Sequence, residues 1–370
     1  MARLRYCYSE VLPFAAMVMV ECTNVGLSTL YKAAVSKGLS YLVFMVYSYA
    51  ISALLLLPLS YIFHRKTVLP PFTVGLLGKF FVLGFLGSIA QFLGYRGIAY
   101  SSPTLGSAMS NLTPATTFIL AILFRMEKLS LRSLSSQAKI VGTMVSMTGA
   151  LVVILYSGPV LITMHATQKS PAVTISFDRS TVSSESNWII GGVLLAASYV
   201  MVSIWYIYQA KVVKNYPAEL VVVFFYNLFS CIVSIPLCLI MEPLSAWKVK
   251  PNVELISIIY SGIVGSGFGI LVHTWGLHVK GPVYVALFRP LSIAIAAIMG
   301  VIFLGDNLYL GCVIGSIIIS MGFYIVTWAK TKEEVGENLE EHVAESSSNS
   351  NVPLLKHLNV LIKQKIDGAY

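Results

Sequence analysis

Five side chains that can bind a proton, an amine or a carboxylate lie inside long apolar segments of this sequence: Glu21, Asn24, Gln91, Asn111 and Arg289. A charged group in such a segment costs at least about 2.5–3.5 kcal/mol unless it faces a cavity, finds a partner or is neutralised. Glu21 is therefore predicted to bind a proton or an amine, and Arg289 to bind a carboxylate. The three amide side chains are predicted to contact the same solute.

A structural explanation competes with each of these predictions. Glu21 as a neutral carboxylic acid would bridge two helices, whereas Arg289 would form an ion pair that fixes helix packing or would extend to the membrane surface. The amides would form hydrogen bonds between helices, which contribute about 0.6 kcal/mol each on average. His273 and His278 have no visible partner in the sequence, and we interpret both as structural residues.

Two prolines and two lysines stand where they would shape a cavity or close it. Pro114 and Pro290 each remove a helical hydrogen bond, so kinked helices and free backbone groups are predicted there. Lys32 and Lys211 end the first apolar segment in each half of the chain. They are predicted either to form a gate or to lie among the lipid headgroups.

The composition indicates that the elements holding these residues cross a membrane. Of the 370 residues, 56% are hydrophobic and 11% are charged, against roughly 45–50% and 25% in soluble domains. The mean hydropathy is +0.79. The net charge of +9 comes from short basic runs between apolar segments. This pattern is typical of membrane orientation and argues against a nucleic acid partner.

Apolar runs near 20 residues, the length that crosses about 30 Å of hydrocarbon, recur along the chain. They predict ten transmembrane helices over 11–33, 40–63, 76–100, 105–124, 139–156, 188–208, 218–241, 253–275, 283–303 and 309–329. With the amino terminus inside, lysine and arginine residues number about fourteen on the inner side and about six on the outer side. Both termini are therefore predicted to be cytoplasmic.

An internal repeat relates the two halves of the chain. A shift of 179 positions aligns glycine, proline and acidic residues in order, as in the pairs Gly97 and Gly276, Pro103 and Pro282, and Glu127 and Asp306. A shift of 173 positions aligns Gly142 with Gly315 and Gly149 with Gly322. Because each half has an odd number of spans, the second half must lie upside down. Inverted repeats are a recurring plan of secondary transporters, whose halves rock around a midplane site.

Four regions follow from this organisation. They are a first five-helix repeat over 11–156, an extracytosolic linker over 157–187, a second five-helix repeat over 188–329 and a disordered cytoplasmic tail over 330–370. The tail is rich in Glu and Ser and has too few apolar residues to bury a core. Since one chain holds both halves, a monomer suffices, with a homodimer as the alternative.

Short motifs along the spans resemble those of a known family. They are Ser102-Pro103-Thr104, Asn111-Leu112-Thr113-Pro114-Ala115, Phe124-Arg125-Met126-Glu127, Gly281-Pro282-Val283, Phe288-Arg289-Pro290-Leu291, Leu304-Gly305-Asp306, Leu310-Gly311 and Trp328-Ala329-Lys330. The chain resembles the plant walls-are-thin-related, or nodulin-like, transporters with two EamA repeats, in the drug/metabolite transporter superfamily. The resemblance implies an all-α integral membrane fold of ten helices in two inverted repeats, no nucleotide requirement, and transport of amino acids or auxin. Glu21 and Ser48 depart from the family pattern, where Gln and Arg are expected.

The sequence thus favours a transporter of small organic solutes, such as amino acids, auxin or related metabolites, that uses alternating access. A membrane receptor or scaffold without transport activity is the alternative. No catalytic residue, metal site or cofactor is predicted, because the sequence has no HExxH, GxxxxGK[ST] or GxSxG motif. The expected partners are the solute, the lipid bilayer and protons, and the expected location is the plasma membrane or the vacuolar membrane.

Overall fold

The computed structural model describes residues 11–35, 38–64, 71–100, 109–110, 112–126, 133–156, 159–162, 185–249, 251–299 and 308–349. Its ten helices, numbered in chain order, are α1 (Leu12–Val35), α2 (Tyr41–His64), α3 (Val74–Tyr100), α4 (Leu112–Leu123), α5 (Leu134–Leu155), α6 (Glu185–Asn215), α7 (Glu219–Met241), α8 (Val253–Val279), α9 (Pro282–Met299) and α10 (Leu310–Asn349). Each helix lies at one of the ten predicted spans.

Two very short strands, β1 (Val160–Ile162) and β2 (Leu308–Tyr309), pair in antiparallel fashion. They join the chain just after α5 to the start of α10, where the Leu310 N–H also donates to the Pro159 carbonyl at 3.0 Å. Most of the predicted linker, and the predicted tail beyond Asn349, lie outside the described residues.

Five of the described helices have the length and apolar composition needed to cross a membrane, namely α2, α3, α6, α7 and α8. Shorter apolar stretches occur in α1, α4 and α10, over Leu12–Asn24, Leu112–Leu123 and Val313–Ala329. Large apolar side chains such as Leu54 and Ile240 are exposed on the outside of the bundle. This is the arrangement expected of helices that face lipid, because their backbone groups are satisfied within each helix.

Two helices continue past the end that hydropathy predicts for them. The sixth helix, α6, runs on to Asn215 rather than ending at Tyr208, since its last turns contain Lys and Asn but remain helical. The last helix, α10, extends to Asn349 through the Glu-rich segment, whereas the sequence predicts a disordered tail from residue 330. Glu, Lys, Ala and Leu favour helices, and lengthening an existing helix avoids the cost of nucleation.

Equivalent helices of the two halves pack against each other in opposite directions. In the pair of α2 and α7, Ser60 Oγ donates to Leu220 O at 3.2 Å, and Cys231 Sγ donates to Val46 O at 3.8 Å. The first bond joins the end of α2 to the start of α7, and the second joins the first turns of α2 to the middle of α7, so the two helices run antiparallel. This antiparallel order is what an inverted repeat requires.

Glycines let α5 and α10 approach until their backbones touch. A Cβ atom built on Gly142 would lie 2.8 Å from the Gly322 carbonyl oxygen, and one built on Gly149 would lie 2.9 Å from the Gly315 carbonyl oxygen. The repeat aligns Gly142 with Gly315, but antiparallel packing places Gly142 against Gly322. The chain therefore consists of two inverted five-helix repeats, as predicted.

The middle of α8 departs from regular α-helical geometry. Ser261–Gly269 form a π-helix with α-helix on both sides. Where a π-helix returns to α-helical geometry, one carbonyl is left without a donor in its own helix, and such segments are frequent at functional sites. Asn227 of α7 supplies a bond from outside, since its Nδ2 donates to Val223 O at 2.9 Å and to Ser266 O at 3.1 Å. The π-helix ends one turn before His273.

Candidate functional site

Glu21 is buried where α1 packs against α8. Its side chain is 3% exposed, and its Oε1 lies 3.6 Å from Nε2 of His273, whose side chain is 7% exposed. Asn24, almost one turn further along α1, faces Gly269, one turn earlier on α8. The two helices therefore run antiparallel at this contact. Glu21 has a polar partner on a neighbouring helix, and Asn24 shares its face of α1.

Arg289 brings the opposite charge to the same place from α9. Its Nε donates to the hydroxyl oxygen of Tyr206 at 3.2 Å. The Tyr206 ring in turn lies beside His273, the partner of Glu21, with 6.3 Å between the ring centres. A glutamate of the first repeat and an arginine of the second repeat thus share one buried region.

Buried polar groups of α6 and α8 line the same region. Gln209 Nε2 donates to Thr274 Oγ1 at 2.5 Å, and Thr274 Oγ1 donates to Ile270 O at 2.6 Å. Gln209 Oε1 and His273 Nε2 are buried and have no hydrogen-bond partner among the described residues. Buried polar atoms without a partner are costly, and each one calls for a water, an ion or a ligand. We call this set the polar cluster: Glu21, Tyr206, Gln209, His273, Thr274 and Arg289.

Glu21 and Arg289, the charged residues of the polar cluster, lie well inside α1 and α9. At 1.5 Å per residue, Glu21 is about 14 Å from the start of α1 and Arg289 about 10 Å from the start of α9. Both starts lie at the same end of the bundle, because Met17 of α1 packs against Gly276 near the end of α8 and α9 follows α8 after a short turn. A hydrocarbon layer of about 30 Å places both charges close to its midplane.

Aromatic rings border the cluster on the side of α2 and α7. The Tyr206 ring centre lies 6.3 Å from that of His273, and Trp205 contacts both Tyr206 and Tyr226 at 5.4 Å between ring centres. Tyr226 in turn meets Tyr49 edge to face at 6.2 Å. Flat apolar surfaces thus lie beside the charged groups, as is usual in small-molecule sites.

Two of the predicted amides do not join the cluster in the described residues. Gln91 is exposed on α3, where the Tyr41 hydroxyl donates to its Oε1 at 2.8 Å, and Tyr41 stacks on Tyr95 at 4.4 Å between ring centres. This is a separate contact between α2 and α3. Asn111 lies outside the described residues.

The two predicted kink prolines occupy different places in their helices. Pro290 lies inside α9, directly after Arg289, so the Ala286 carbonyl lacks its usual donor in that helix. Pro114 is buried and is the third residue of α4. Ser110, four residues before Pro114, is also helical, whereas Asn111 between them lies outside the described residues, so a kink at Pro114 stays a prediction.

The predicted gate is described on one side only. Lys211 is exposed near the end of α6, and its Nζ lies 4.2 Å from the ring centre of Phe124, just past the end of α4. This cation–π contact links the two helix ends. The side chain of Lys32 lies outside the part of the chain that the structure describes, so a gate between the lysines stays a prediction.

Sequence reasoning missed most of the groups around Glu21 and Arg289. Hydropathy ends the sixth span at residue 208 and so places Gln209 outside the membrane, whereas α6 continues to Asn215. His273 lies close to the predicted inner end of its span and was interpreted as structural. Gln209 and His273 could have been found by extending each span to the end of its helix and then looking for polar side chains within that longer segment.

The arrangement is suited to binding a charged or polar solute. Among the described residues, no group of three His, Cys, Asp or Glu residues is placed to hold a metal. The polar cluster instead offers one acid, one guanidinium, one imidazole and neutral hydrogen-bonding groups. A solute with a carboxylate and an amine matches these groups.

Comparison with known proteins gives a consistent result. Residues 13–155 and 189–328 each match the family model described as the EamA-like transporter family. A WAT1-related protein of Arabidopsis thaliana is 56% identical over 332 residues, which are 89% of this chain and 90% of the relative. Another from the same plant is 51% identical over 331 residues, or 89% and 91% of the two chains. A protein of known crystal structure superposes with a TM-score of 0.62 at 15% identity, covering 88% of this chain and 99% of that one; it shares the fold.

Proposed function

The chain belongs to the EamA-like transporter family and is a multi-pass membrane transporter, and on this premise we propose that it carries small organic solutes by alternating access. The solutes proposed are amino acids, auxin or related metabolites. The observation that carries the proposal is that Glu21 and Arg289 contact two neighbouring side chains, His273 and Tyr206, whose ring centres lie 6.3 Å apart inside the helix bundle.

The charges of the polar cluster suit these solutes. Every amino acid and auxin carries a carboxylate, and Arg289 presents a planar guanidinium that binds carboxylates through two parallel hydrogen bonds. The ammonium group of an amino acid would replace Arg289 as the partner of Glu21. Because charges inside a membrane are expensive unless paired, binding that exchanges one partner for another keeps the cluster neutral.

The inverted repeats support alternating access as the mechanism. The first repeat contributes Glu21 on α1, whereas the second contributes Arg289, Tyr206 and His273 on α9, α6 and α8. A site built between two pseudo-symmetric halves opens to one face or the other when the halves rock. The contacts at α2 with α7 and at α5 with α10 are the places about which such rocking would occur.

The topology is part of the same proposal. From the distribution of lysine and arginine, both termini are cytoplasmic, and the polar cluster is entered from the cytoplasm past the ends of α6 and α8. Glu127 and Asp306, the residues predicted on opposite faces, lie outside the described part of the chain. We propose the plasma membrane or the vacuolar membrane as the location, with a monomer as the transporting unit.

Flux measurements test the proposal. The purified protein in liposomes is assayed with a radiolabelled panel of amino acids and auxin at two pH values. We expect uptake of at least one of these solutes, and we expect Arg289→Gln and Glu21→Gln each to lower its rate at least tenfold. Equal rates in wild type and both variants would contradict the assigned site.

Two variants serve as matched controls for the change of charge. Arg96→Gln removes an arginine of α3 that contacts Met241 Sδ and Phe92, and Glu219→Gln removes a partly exposed carboxylate at the start of α7. Both are expected to transport at the wild-type rate. A receptor or scaffold, the alternative function, would show no flux with any solute, either in the full chain or after removal of the tail beyond Lys332.

A further inference from the structure

We infer that His273 is a proton-binding site that lets this transporter carry monoanionic solutes as well as zwitterionic ones. The inference rests on the proposed function, because it assigns a role to a side chain of the same site. It names the solute class that requires a proton, which is a carboxylic acid without an amine. It also names the class that does not, which is a neutral amino acid.

The position of His273 carries the inference. Its Nε2 is 3.6 Å from Oε1 of Glu21, just beyond hydrogen-bond distance, and has no hydrogen-bond partner among the described residues. The residue is 5% exposed. A proton added to Nε2 would therefore point at a carboxylate that is already in place. Protonation would convert a near contact into a charge-assisted hydrogen bond.

Other titratable groups face His273 from the helices packed around it. Glu21 faces it from α1 and Tyr206 from α6, and Arg289 of α9 is bonded to that tyrosine. On α7, Tyr226 interacts with Tyr206, and on α2, Tyr49 meets Tyr226. Among these side chains, the imidazole of His273 has a buried ring nitrogen that faces Glu21 and has no hydrogen-bond partner in the described residues.

Counting charges shows when a proton is needed. Without a solute, Glu21 and Arg289 balance each other and His273 is neutral. A zwitterion binds its carboxylate to Arg289 and its ammonium to Glu21, so the total stays at zero. A monoanion also binds Arg289 but offers no cation to Glu21, which leaves one negative charge without a partner in the membrane. A proton on His273 restores the balance.

The proton moves with the solute. It is taken from the water on the side where the monoanion enters, is held on Nε2 of His273 while the halves rock, and is released to the water on the other side. Carriage of a monoanion is therefore electroneutral, with one proton for each solute. Carriage of a zwitterion is electroneutral without any proton.

The first test is a binding measurement on the wild-type protein in detergent. Calorimetric titrations with auxin, a monoanion, and with alanine, a zwitterion, are run in phosphate and in Tris at the same pH. The inference expects the auxin heats to differ between the buffers by the amount for one proton taken up, and the alanine heats to be equal. Auxin binding without proton uptake would overturn it.

The second test uses variants in liposomes, with protein-free liposomes subtracted because auxin crosses lipid in its neutral form. In the wild type, an inward pH gradient of one unit should accelerate auxin uptake by up to about tenfold and should leave alanine uptake unchanged. His273→Gln should lose the acceleration of auxin uptake, and a single symmetric peak in size-exclusion chromatography shows that the variant is folded. His278→Gln, a histidine at the end of the same helix, should behave as wild type.

The outcomes separate the inference from the proposed function. Acceleration by the gradient in His273→Gln, or uptake of alanine with no uptake of auxin, would overturn the inference and leave the transporter assignment intact. Absence of flux for every solute would refute the proposed function itself. If His273→Gln fails to fold, the wild-type calorimetry still tests the inference, because equal auxin heats in the two buffers would overturn it.

Discussion

The contact between α5 and α10 gives a quantitative test of the inverted packing. A Cβ atom added at Gly149 would lie 2.7 Å from Ile319 N and 2.9 Å from Gly315 O, both backbone atoms of α10. Ordinary contact begins at 3.4 Å, so α10 must move about 0.7 Å at this point. A helix backbone cannot move at one residue alone, so the close approach of Gly142 to Gly322 is disturbed as well.

The expected effect of Gly149→Ala follows from this displacement. Overpacking of a close interface costs about 1–3 kcal/mol, which lowers the thermal midpoint by roughly 1–4 °C for a chain of 370 residues. The measurement is thermal unfolding of the purified protein in one detergent, followed by size-exclusion or intrinsic fluorescence. Alanine is a better helix former than glycine, so any loss of stability must come from the packing.

A glycine with free space around it provides the control. Gly78 is in the first turns of α3, and a Cβ atom built on it meets nothing within 4 Å. Gly78→Ala should therefore leave the thermal midpoint unchanged or raise it, by up to about 1 kcal/mol in stability. Equal shifts for Gly149→Ala and Gly78→Ala would refute the close antiparallel contact between α5 and α10.

Three further predictions follow from single contacts. Asn227→Ala should lower stability by about 1–3 kcal/mol, because it removes the donor to Ser266 O in the π-helix; an unchanged thermal midpoint would contradict this role. His278→Gln should change stability by less than about 1 kcal/mol, since its ion pair with Glu219 is partly exposed, and a large loss would show that the pair is more than a surface contact. Cysteines introduced as Lys211→Cys and Leu244→Cys should react with an impermeant reagent from opposite faces of sealed vesicles, because α7 lies between them; labelling from one face would contradict the crossing.

Hydropathy predicts the helices of this chain well and their polar ends poorly. The second predicted span, 40–63, lies within one residue of α2 (Tyr41–His64) at each end, because both ends coincide with a change from apolar to polar sequence. The sixth does not, because α6 keeps its helical geometry through Lys211 and Lys214 to Asn215. A helix ends where its backbone hydrogen bonds end, whereas an apolar run of sequence ends where the helix leaves the hydrocarbon of the membrane. These two boundaries coincide only in some spans.

The repeat in the sequence predicts equivalence of positions but not contact between them. Gly142 and Gly315 are equivalent, yet Gly142 packs against Gly322, because the two helices run in opposite directions. The meeting of Glu21 with His273 and Arg289 is equally hidden, since these residues are far apart in sequence and belong to different halves. Composition identifies each charged residue as unusual. Only the packing of α1 against α8 and α9 tells which of them share a site.

The symmetry of the backbone does not extend to the chemistry of the site. The repeat aligns Glu21 with Val200, His273 with Gly94 and Arg289 with Ser110, so no equivalent charged cluster exists in the inverted position. The acid lies on the first half, and the imidazole and guanidinium lie on the second. If the halves rock against each other, α1 moves relative to α8 and α9, and Glu21 loses its partners unless a solute ammonium or a proton neutralises it first. Because an unpaired carboxylate in the membrane is costly, the proposed mechanism implies that the empty site would resist rocking and that a bound solute would remove that resistance. Coupling between occupancy and movement would then need no separate gate, since the distribution of three charged or chargeable side chains between the two halves is sufficient.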